Sequence, residues 1–166
     1  VAGGCHRAAT GNISIFAGGS RAAFERALPV LSILGHQILH TGEIGSASML
    51  KVMTNYLCTV HLVALAEALT TCKAMGMDMN TTYEAIRISS GNSFVHETES
   101  QVILNGSYDI GFTIDLACKD LGFAHELGEE LGVPLELATL VEQTFVRARE
   151  AYGGSAWSPM VVKLLE

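Results

Sequence analysis

Two polar side chains interrupt the most apolar stretch of the chain. Lys51 and Asn55 lie four residues apart in residues 46–75, a helical pattern without proline or glycine. This spacing places both side chains on one helical face. Desolvation and the nearby helix N-terminus favour a neutral amine and a neighbouring anion, so the pair is a candidate for proton transfer. A lysine that extends to water, with an asparagine beside it by chance, is the structural alternative.

Glycine-containing turns precede this helix and open the chain. Gly42 and Gly45 frame the turn into the helix, and Gly3-Gly4 lie near the first residue. Paired glycines let backbone N–H groups approach a ligand closely. For Gly3-Gly4 an ordinary turn is the alternative interpretation.

The first part of the chain predicts strands rather than helices alone. Residues 12–17 and 36–40 are typical of short strands, and Ser20 is a candidate cap for a helix over 21–31 between them. Two strands form a poor sheet by themselves. They indicate the edge of a sheet whose other strands precede residue 1.

The rest of the chain predicts helices. The 46–75 helix is apolar nearly all round, which indicates burial on every side and a partner subunit packed against it. Gly76 ends it. The later helices are expected over 82–89 with a capping box of Thr81 and Glu84, over 95–104, after Thr113, after Pro134, and from Ser158-Pro159 to the end.

Composition narrows the classes of function. The chain has 166 residues, 49% of them hydrophobic and 16% charged, with a net charge of −7. Such an apolar chain favours a surface buried against another domain or subunit. No basic stripe suits nucleic acid, and no run of about 18 uncharged apolar residues suits a membrane span, so neither partner is expected. The histidines show no metal-ligand spacing, and the four cysteines are expected to be free thiols.

Three segments together resemble the β-hydroxyacid dehydrogenase family, which includes 3-hydroxyisobutyrate dehydrogenase and tartronate semialdehyde reductase. Val1-Ala2-Gly3-Gly4 through Gly11-Asn12-Ile13 is similar to the family's substrate-binding segment. Gly42-x-x-Gly45 through Lys51-x-x-x-Asn55 is similar to its catalytic segment. Lys119-Asp120-Leu121, after Phe112, is similar to a segment on the cofactor side.

The resemblance implies a role for each matching residue. Lys51 is implied to be the catalytic general acid/base, and Asn55 to bind and orient the substrate. Ala2, Gly3 and Gly4 are implied to bind the substrate, the two glycines through their backbone. Lys119 is implied to reach the nicotinamide end of the cofactor, with Phe112 a weaker candidate there, and adjacency suggests that Asp120 orients Lys119.

The resemblance also implies a fold and a whole enzyme. The expected fold is mainly α: the all-helical C-terminal domain of a 6-phosphogluconate-dehydrogenase-like fold, over 42–166, preceded over 1–41 by the last two strands of a Rossmann-type sheet. No G-x-G-x-x-G follows a strand, so the main NAD or NADP site is expected before residue 1. The chain alone is expected to be inactive, and the parent enzyme to be a cytoplasmic homo-oligomer, at least a dimer.

Departures from the family pattern leave the substrate open. Ala2 stands where the family usually has serine, and Arg7 and Ala47 stand where glycine is common. The expected reaction moves a hydride between NAD(P) and a small 3-hydroxy acid, of the 3-hydroxyisobutyrate or tartronate semialdehyde type. One alternative is a dehydrogenase of a phosphorylated sugar acid, which would want basic residues near Lys51. Another is a catalytically dead dimerisation module.

Overall fold

The computed structural model describes every residue from Val1 to Glu166, in two compact units, Val1–Thr54 and Asn55–Glu166. The elements in order are α1 (Gly4–Ala9), β1 (Ser14–Gly18), α2 (Arg21–Leu34), β2 (Gln37–Gly42), α3 (Ser46–Ala74), α4 (Met79–Arg87), α5 (Phe94–Leu104), α6 (Ile114–Leu131), α7 (Glu136–Tyr152) and a 3-10 helix (Ser158–Leu164). The predicted fold, mainly helical with two strands near the start, is confirmed.

The first unit contains a parallel pair of strands joined by a helix. Ile15 of β1 lies opposite Ile38 of β2, and α2 connects the two strands. The hydroxyl of Ser20 accepts a hydrogen bond from the Ala23 amide at 3.3 Å, so the predicted cap is present. The helix continues past the predicted end at 31, to Leu34, although Pro29 inside it lacks the N–H donor of one backbone hydrogen bond.

The helix α1 was not predicted from the sequence. Gly3-Gly4 suggested a turn, and the two residues instead open a six-residue helix whose N-cap, Gly3, has no capping side chain. None of its residues is buried. A short exposed helix without a side-chain cap leaves no periodic or capping signal to recognise.

The second unit packs its helices around one apolar cluster. The buried residues follow helical spacing on each element: Leu62, Leu65 and Leu69 from α3, Val95 from α5, Ile114, Ala117 and Leu121 from α6, Val141, Phe145 and Ala148 from α7, and Val161 from the 3-10 helix. The Thr113 hydroxyl caps α6 by accepting from the Leu116 amide at 3.3 Å, as predicted. The apolar residues spaced three and four positions apart in the sequence are therefore the ones that each helix buries.

Two local predictions in this unit are wrong. Thr81 was expected to cap the helix after Gly76, and instead the Asp78 carboxylate accepts from both the amide and the hydroxyl of Thr81 at 2.8 Å. The helix therefore starts at Met79 rather than residue 82. The last segment is a 3-10 helix that ends at Leu164, not an α-helix that continues to Glu166.

Within this chain alone, α3 is buried on one side, so the expected cover of the rest by a partner subunit stays a prediction. Its fully buried residues are Thr59, Leu62, Leu65, Ala66 and Leu69, which lie on one side. Leu50 and Leu57 are 44% and 50% exposed. The other helices of this chain therefore cover α3 on one face only.

By length and composition alone, α3 is apolar enough to cross a membrane. The core helix of a soluble protein meets the same two conditions. Lys51, Glu67 and Lys73 keep every uncharged run in this helix shorter than 18 residues. Length and composition by themselves therefore do not distinguish a membrane-spanning helix from the core helix of a soluble protein.

A buried carboxyl group lies beside α3 in the second unit. Glu99 of α5 is 5% exposed, and its Oε1 accepts a weak hydrogen bond from the Cys58 thiol at 3.9 Å. Its Oε2 is buried without a hydrogen-bond partner. Burial raises the pKa of Glu99 to about 7, and the Cys58 contact offsets only part of this effect.

The raised pKa of Glu99 predicts a pH-dependent stability. Between the ordinary carboxyl pKa and about 7, the folded chain holds a proton that the unfolded chain releases, so stability falls as pH rises through this window. Each pKa unit corresponds to about 1.4 kcal/mol. Glu99→Gln mimics the protonated acid and should remove this component. Thermal melts of both proteins from pH 5 to 8 should diverge, with the natural chain losing more stability; parallel curves would contradict the assignment.

Candidate active site

The turn before α3 is held by hydroxyl groups. The Ser46 hydroxyl donates to the Glu43 carbonyl at 2.7 Å and lies 2.7 Å from the Thr41 hydroxyl, which reaches the Ala17 carbonyl at 3.2 Å. A side chain at Gly18 would approach the Glu43 carbonyl to 2.7 Å, so only glycine lets β1 end against this turn. These contacts tie the start of α3 to the ends of both strands.

Lys51 lies on the second turn of α3 and is half-buried. Burial, and then the positive charge of Lys51, lower the pKa of the Val1 amino group. The electrostatic effect means that Lys51 lies near the first residues of the chain. The structure therefore places the predicted catalytic lysine near Val1, which begins the predicted substrate-binding segment.

The backbone of this segment is held in a defined course. The Ala2 amide donates to the Ser14 carbonyl at 2.8 Å and the Ser14 amide donates to the Ala2 carbonyl at 2.9 Å. The Ala2 N–H is thus already engaged in a backbone hydrogen bond. Gly3 and Gly4 follow with φ angles of 120° and 68°, which a larger residue adopts only with strain.

Arg7 covers one side of Gly3. A Cβ at Gly3 would lie 2.7 Å from Arg7 Cδ, so the aliphatic stem of Arg7 packs against the glycine. The side chain as a whole is exposed. Both the space and the backbone angle therefore exclude a side chain at Gly3.

In the second unit, a carboxylate joins Asn55 to Lys119. The Asn55 amide donates from Nδ2 to Asp120 Oδ2, and Asp120 Oδ1 lies 3.1 Å from Lys119 Nζ. Asp120 is 14% exposed while Lys119 is 53% exposed, so the carboxylate is inside and the ammonium near the surface. Because a carboxylate only accepts, the NH₂ group of Asn55 must face Asp120, which orients its amide carbonyl away.

Asp120 therefore has a second contact that adjacency did not reveal. The pairing with Lys119 was expected from neighbouring positions, but Asn55 and Asp120 are 65 positions apart. No local pattern in the sequence joins α3 to α6 at these residues. A polar residue on the buried side of α6 is the only signal that marks Asp120.

The two phenylalanines that precede and follow Lys119 differ in their surroundings. Phe112, the predicted candidate, is partly buried against the apolar cluster, and its carbonyl accepts from the Ser158 amide at 2.9 Å. Phe123 was not predicted, is 46% exposed, and its ring centroid lies 5.8 Å from Lys119 Nζ. The structure places Phe123, one turn after Lys119 on α6, beside the cation.

The residues so placed suit proton transfer. An amine and an amide stand one turn apart on α3, as the i, i+4 spacing predicted. The structure contains no group of three or more His, Cys, Asp or Glu side chains arranged to hold a metal ion. A lysine amine is a competent general base or acid when it lies within hydrogen-bond reach of the reacting hydroxyl.

Two family models match consecutive parts of the chain. Residues 1–42 match the NAD-binding domain of 6-phosphogluconate dehydrogenase. Residues 45–165 match the family described as NAD-binding of NADP-dependent 3-hydroxyisobutyrate dehydrogenase. The two matches meet at the turn before α3.

Individual relatives agree with these models. The chain is 36% identical to 2-(hydroxymethyl)glutarate dehydrogenase of Eubacterium barkeri over 100% of its own length and 56% of the relative's. It is 32% identical to L-threonate dehydrogenase of Escherichia coli K12, over 99% and 55% of the two lengths.

A solved structure agrees as well. The crystal structure of a 3-hydroxyisobutyrate dehydrogenase from Salmonella typhimurium has a TM-score of 0.89 and 30% identity, covering 98% of this chain and 57% of that one. The chain thus spans about half the length of the relatives that it matches. With a family model matched over most of its residues, the chain belongs to the NAD(P)-dependent β-hydroxyacid dehydrogenase family.

Proposed function

We propose that the protein containing this chain transfers a hydride between NAD(P) and a small 3-hydroxy acid, with Lys51 as the general acid and base. The observation that supports this most directly is the half-buried Lys51 on the second turn of α3, close to the glycine segment at Val1–Gly4. Together, the amine and the glycine segment can contact both functional groups of a hydroxy acid. The glycine backbone suits the carboxylate, and the amine suits the hydroxyl.

The proton steps follow from the chemistry of the amine. When bound, NAD(P)⁺ would supply the hydride acceptor for the carbon that bears the substrate hydroxyl. Neutral Lys51 takes the hydroxyl proton as the C–O single bond becomes a carbonyl. In the reverse direction the Lys51 ammonium returns that proton to the forming alkoxide, so charge and protons balance in both directions.

The other residues hold the reactants in place in this proposal. The N–H groups of Gly3 and Gly4 bind the substrate carboxylate. Asn55, turned by Asp120, presents its amide carbonyl to a substrate hydroxyl. Lys119 and Phe123 offer a cation and an exposed ring, which suit an anionic cofactor with a planar end.

Cofactor affinity is proposed to reside mainly outside the described residues. No G-x-G-x-x-G motif follows β1 or β2. The backbone cradle for a pyrophosphate is therefore not among Val1–Glu166. We propose that the chain by itself turns over no substrate, and the activity tests below use the enzyme with its complete nucleotide-binding domain.

The class of substrate is proposed to be a carboxylate without phosphate. The two curated relatives are named for hydroxy acids, 2-(hydroxymethyl)glutarate and L-threonate. A phosphorylated sugar acid would need several cations near Lys51, and Arg7 is the one arginine packed on the glycine segment. The proposal therefore favours an unphosphorylated acid that carries a hydroxyl group close to its carboxylate.

Replacing Lys51 tests the proton carrier. Lys51→Met keeps the apolar stem and removes the amine, and turnover should fall by about 10²–10⁴. Lys51→Arg should fail as well, because a guanidinium stays protonated at any working pH. Steady-state kinetics measure both. Lys73→Met, on the same helix but exposed, should leave turnover near normal. Near-normal turnover in folded Lys51→Met would overturn the proposal.

Replacing Asp120 tests its role in positioning Asn55 and Lys119. Asp120→Asn keeps the shape and removes the charge, so the Asn55 amide is no longer held by a carboxylate. We expect kcat to fall by up to about 10²-fold, the scale of a misplaced reactant. We also expect KM for the cofactor to rise, because Lys119 loses its partner. Glu126→Gln, an exposed acid on the same helix, is the control. A loss of thermal stability with unchanged kcat and KM would show a merely structural role.

Replacing Arg7 tests whether its guanidinium binds substrate. Arg7→Gln keeps most of the stem over Gly3 and removes the charge. Because the side chain is exposed, we expect kcat/KM for a monocarboxylic 3-hydroxy acid to stay within about twofold, as for a surface change near 0.5 kcal/mol. A loss of tenfold or more would instead place the guanidinium on the substrate carboxylate.

A further inference from the structure

The backbone of α1 holds the side chain of Arg7 beside the glycine segment. The Arg7 carbonyl accepts a hydrogen bond from the Asn12 amide at 2.8 Å and a longer one from the Thr10 hydroxyl at 3.3 Å. A Cβ at Gly3 would lie 3.1 and 3.3 Å from Cβ and Cγ of Arg7, and 2.7 Å from its Cδ. The stem therefore runs back over the glycine. The guanidinium, which starts one bond beyond Cδ, begins next to the segment proposed to bind the substrate carboxylate.

The charges around this segment are positive, although the chain as a whole has a net charge of −7. Residues 1–24 contain no aspartate or glutamate. Lys51 lies close enough to lower the pKa of the Val1 amino group, after the larger effect of burial. With Arg7 over the glycines, the first residues of the chain lie near two cationic side chains. Such a surface suits a ligand that carries more than one negative charge.

The position of Arg7 suits a part of the substrate that the glycines do not bind. We propose that the Arg7 guanidinium binds a second carboxylate and thereby selects dicarboxylic 3-hydroxy acids. This inference rests on the proposed function, in which the N–H groups of Gly3 and Gly4 bind the first carboxylate and Lys51 contacts the hydroxyl. The Arg7 side chain is exposed, so its guanidinium can reach a substituent that projects out of the site.

The exposure of Arg7 also sets the size of the expected preference. A guanidinium can hold a carboxylate through two parallel hydrogen bonds, which an ammonium or an amide cannot reproduce. An ion pair in contact with water contributes modestly, because solvent and salt screen it. We therefore expect Arg7 to favour the second carboxylate by about five- to tenfold. The contact is remote from the reacting atoms, so its loss should appear mainly in KM.

Two substrates that differ only in the second charge test this assignment. One is 2-(hydroxymethyl)glutarate, and the other carries a primary amide in place of its distal carboxylate. The readout is the ratio of kcat/KM for the diacid to kcat/KM for the amide, measured on the enzyme with its complete nucleotide-binding domain. Arg7→Gln should lower this ratio about five- to tenfold, because only the diacid loses a charged contact. Arg26→Gln, at an exposed arginine of α2, should leave the ratio unchanged.

Two further measurements separate the charge of Arg7 from its shape. Arg7→Lys keeps the charge without the paired hydrogen bonds, so its ratio should fall between those of the natural enzyme and Arg7→Gln. Added salt should lower the ratio of the natural enzyme and leave that of Arg7→Gln unchanged.

The outcomes distinguish this inference from the proposed function. An enzyme that oxidises both acids, with a ratio that stays within twofold in Arg7→Gln, would overturn the selection by Arg7 and leave the proposed function standing. An enzyme that oxidises neither these acids nor 3-hydroxyisobutyrate would overturn both.

Discussion

The candidate site depends on α3 remaining one uninterrupted helix. Lys51 and Asn55 keep their relation because the same ladder of backbone hydrogen bonds carries both, one turn apart. The Thr41 and Ser46 hydroxyls anchor the beginning of that helix, and the Asp120 carboxylate holds Asn55. A break anywhere between Ser46 and Asn55 would separate the proton carrier from the residue proposed to orient its substrate.

Two acidic residues of the second unit show how burial and partners decide what a carboxyl group does. Asp120 is largely buried, yet each of its oxygens has a partner, an amide and an ammonium. Glu99 is more deeply buried and has only a thiol, with one oxygen unpaired. A charged form is tolerable inside a protein when it is paired, and the neutral form prevails when it is not. Asp120 can therefore orient its neighbours electrostatically, whereas burial raises the pKa of Glu99 to about 7 and favours its neutral form.

The elements could be predicted from the sequence where their causes are local. Ser20 and Thr113 cap helices through their own hydroxyls, and apolar spacing along α6 and α7 matches the buried side of each. Prediction failed where two local signals compete, as when Asp78 rather than Thr81 caps α4. Composition shows that α3 is apolar but not what covers it: this chain buries one side, and a partner subunit on the rest stays a prediction.

The candidate site likewise contains residues that the sequence predicts and contacts that only the structure shows. Lys51, Asn55 and the glycine pair were recognisable from spacing and from resemblance to a family. The bond between Asn55 and Asp120 arises from packing of α3 against α6 and joins residues distant in sequence, so no periodic pattern marks it. Phe123, by contrast, lies four residues after Lys119 on α6, a helical spacing from which the contact could have been predicted.

The most direct measurement of the central claim is a crystal structure of the enzyme with its complete nucleotide-binding domain, NAD(P)⁺ and a bound 3-hydroxy acid. The account predicts Lys51 Nζ about 2.6–3.2 Å from the reacting hydroxyl oxygen, with the substrate carboxylate on the backbone of Gly3 and Gly4. A substrate whose hydroxyl oxygen contacts another ionisable group, with Lys51 turned to solvent, would contradict it.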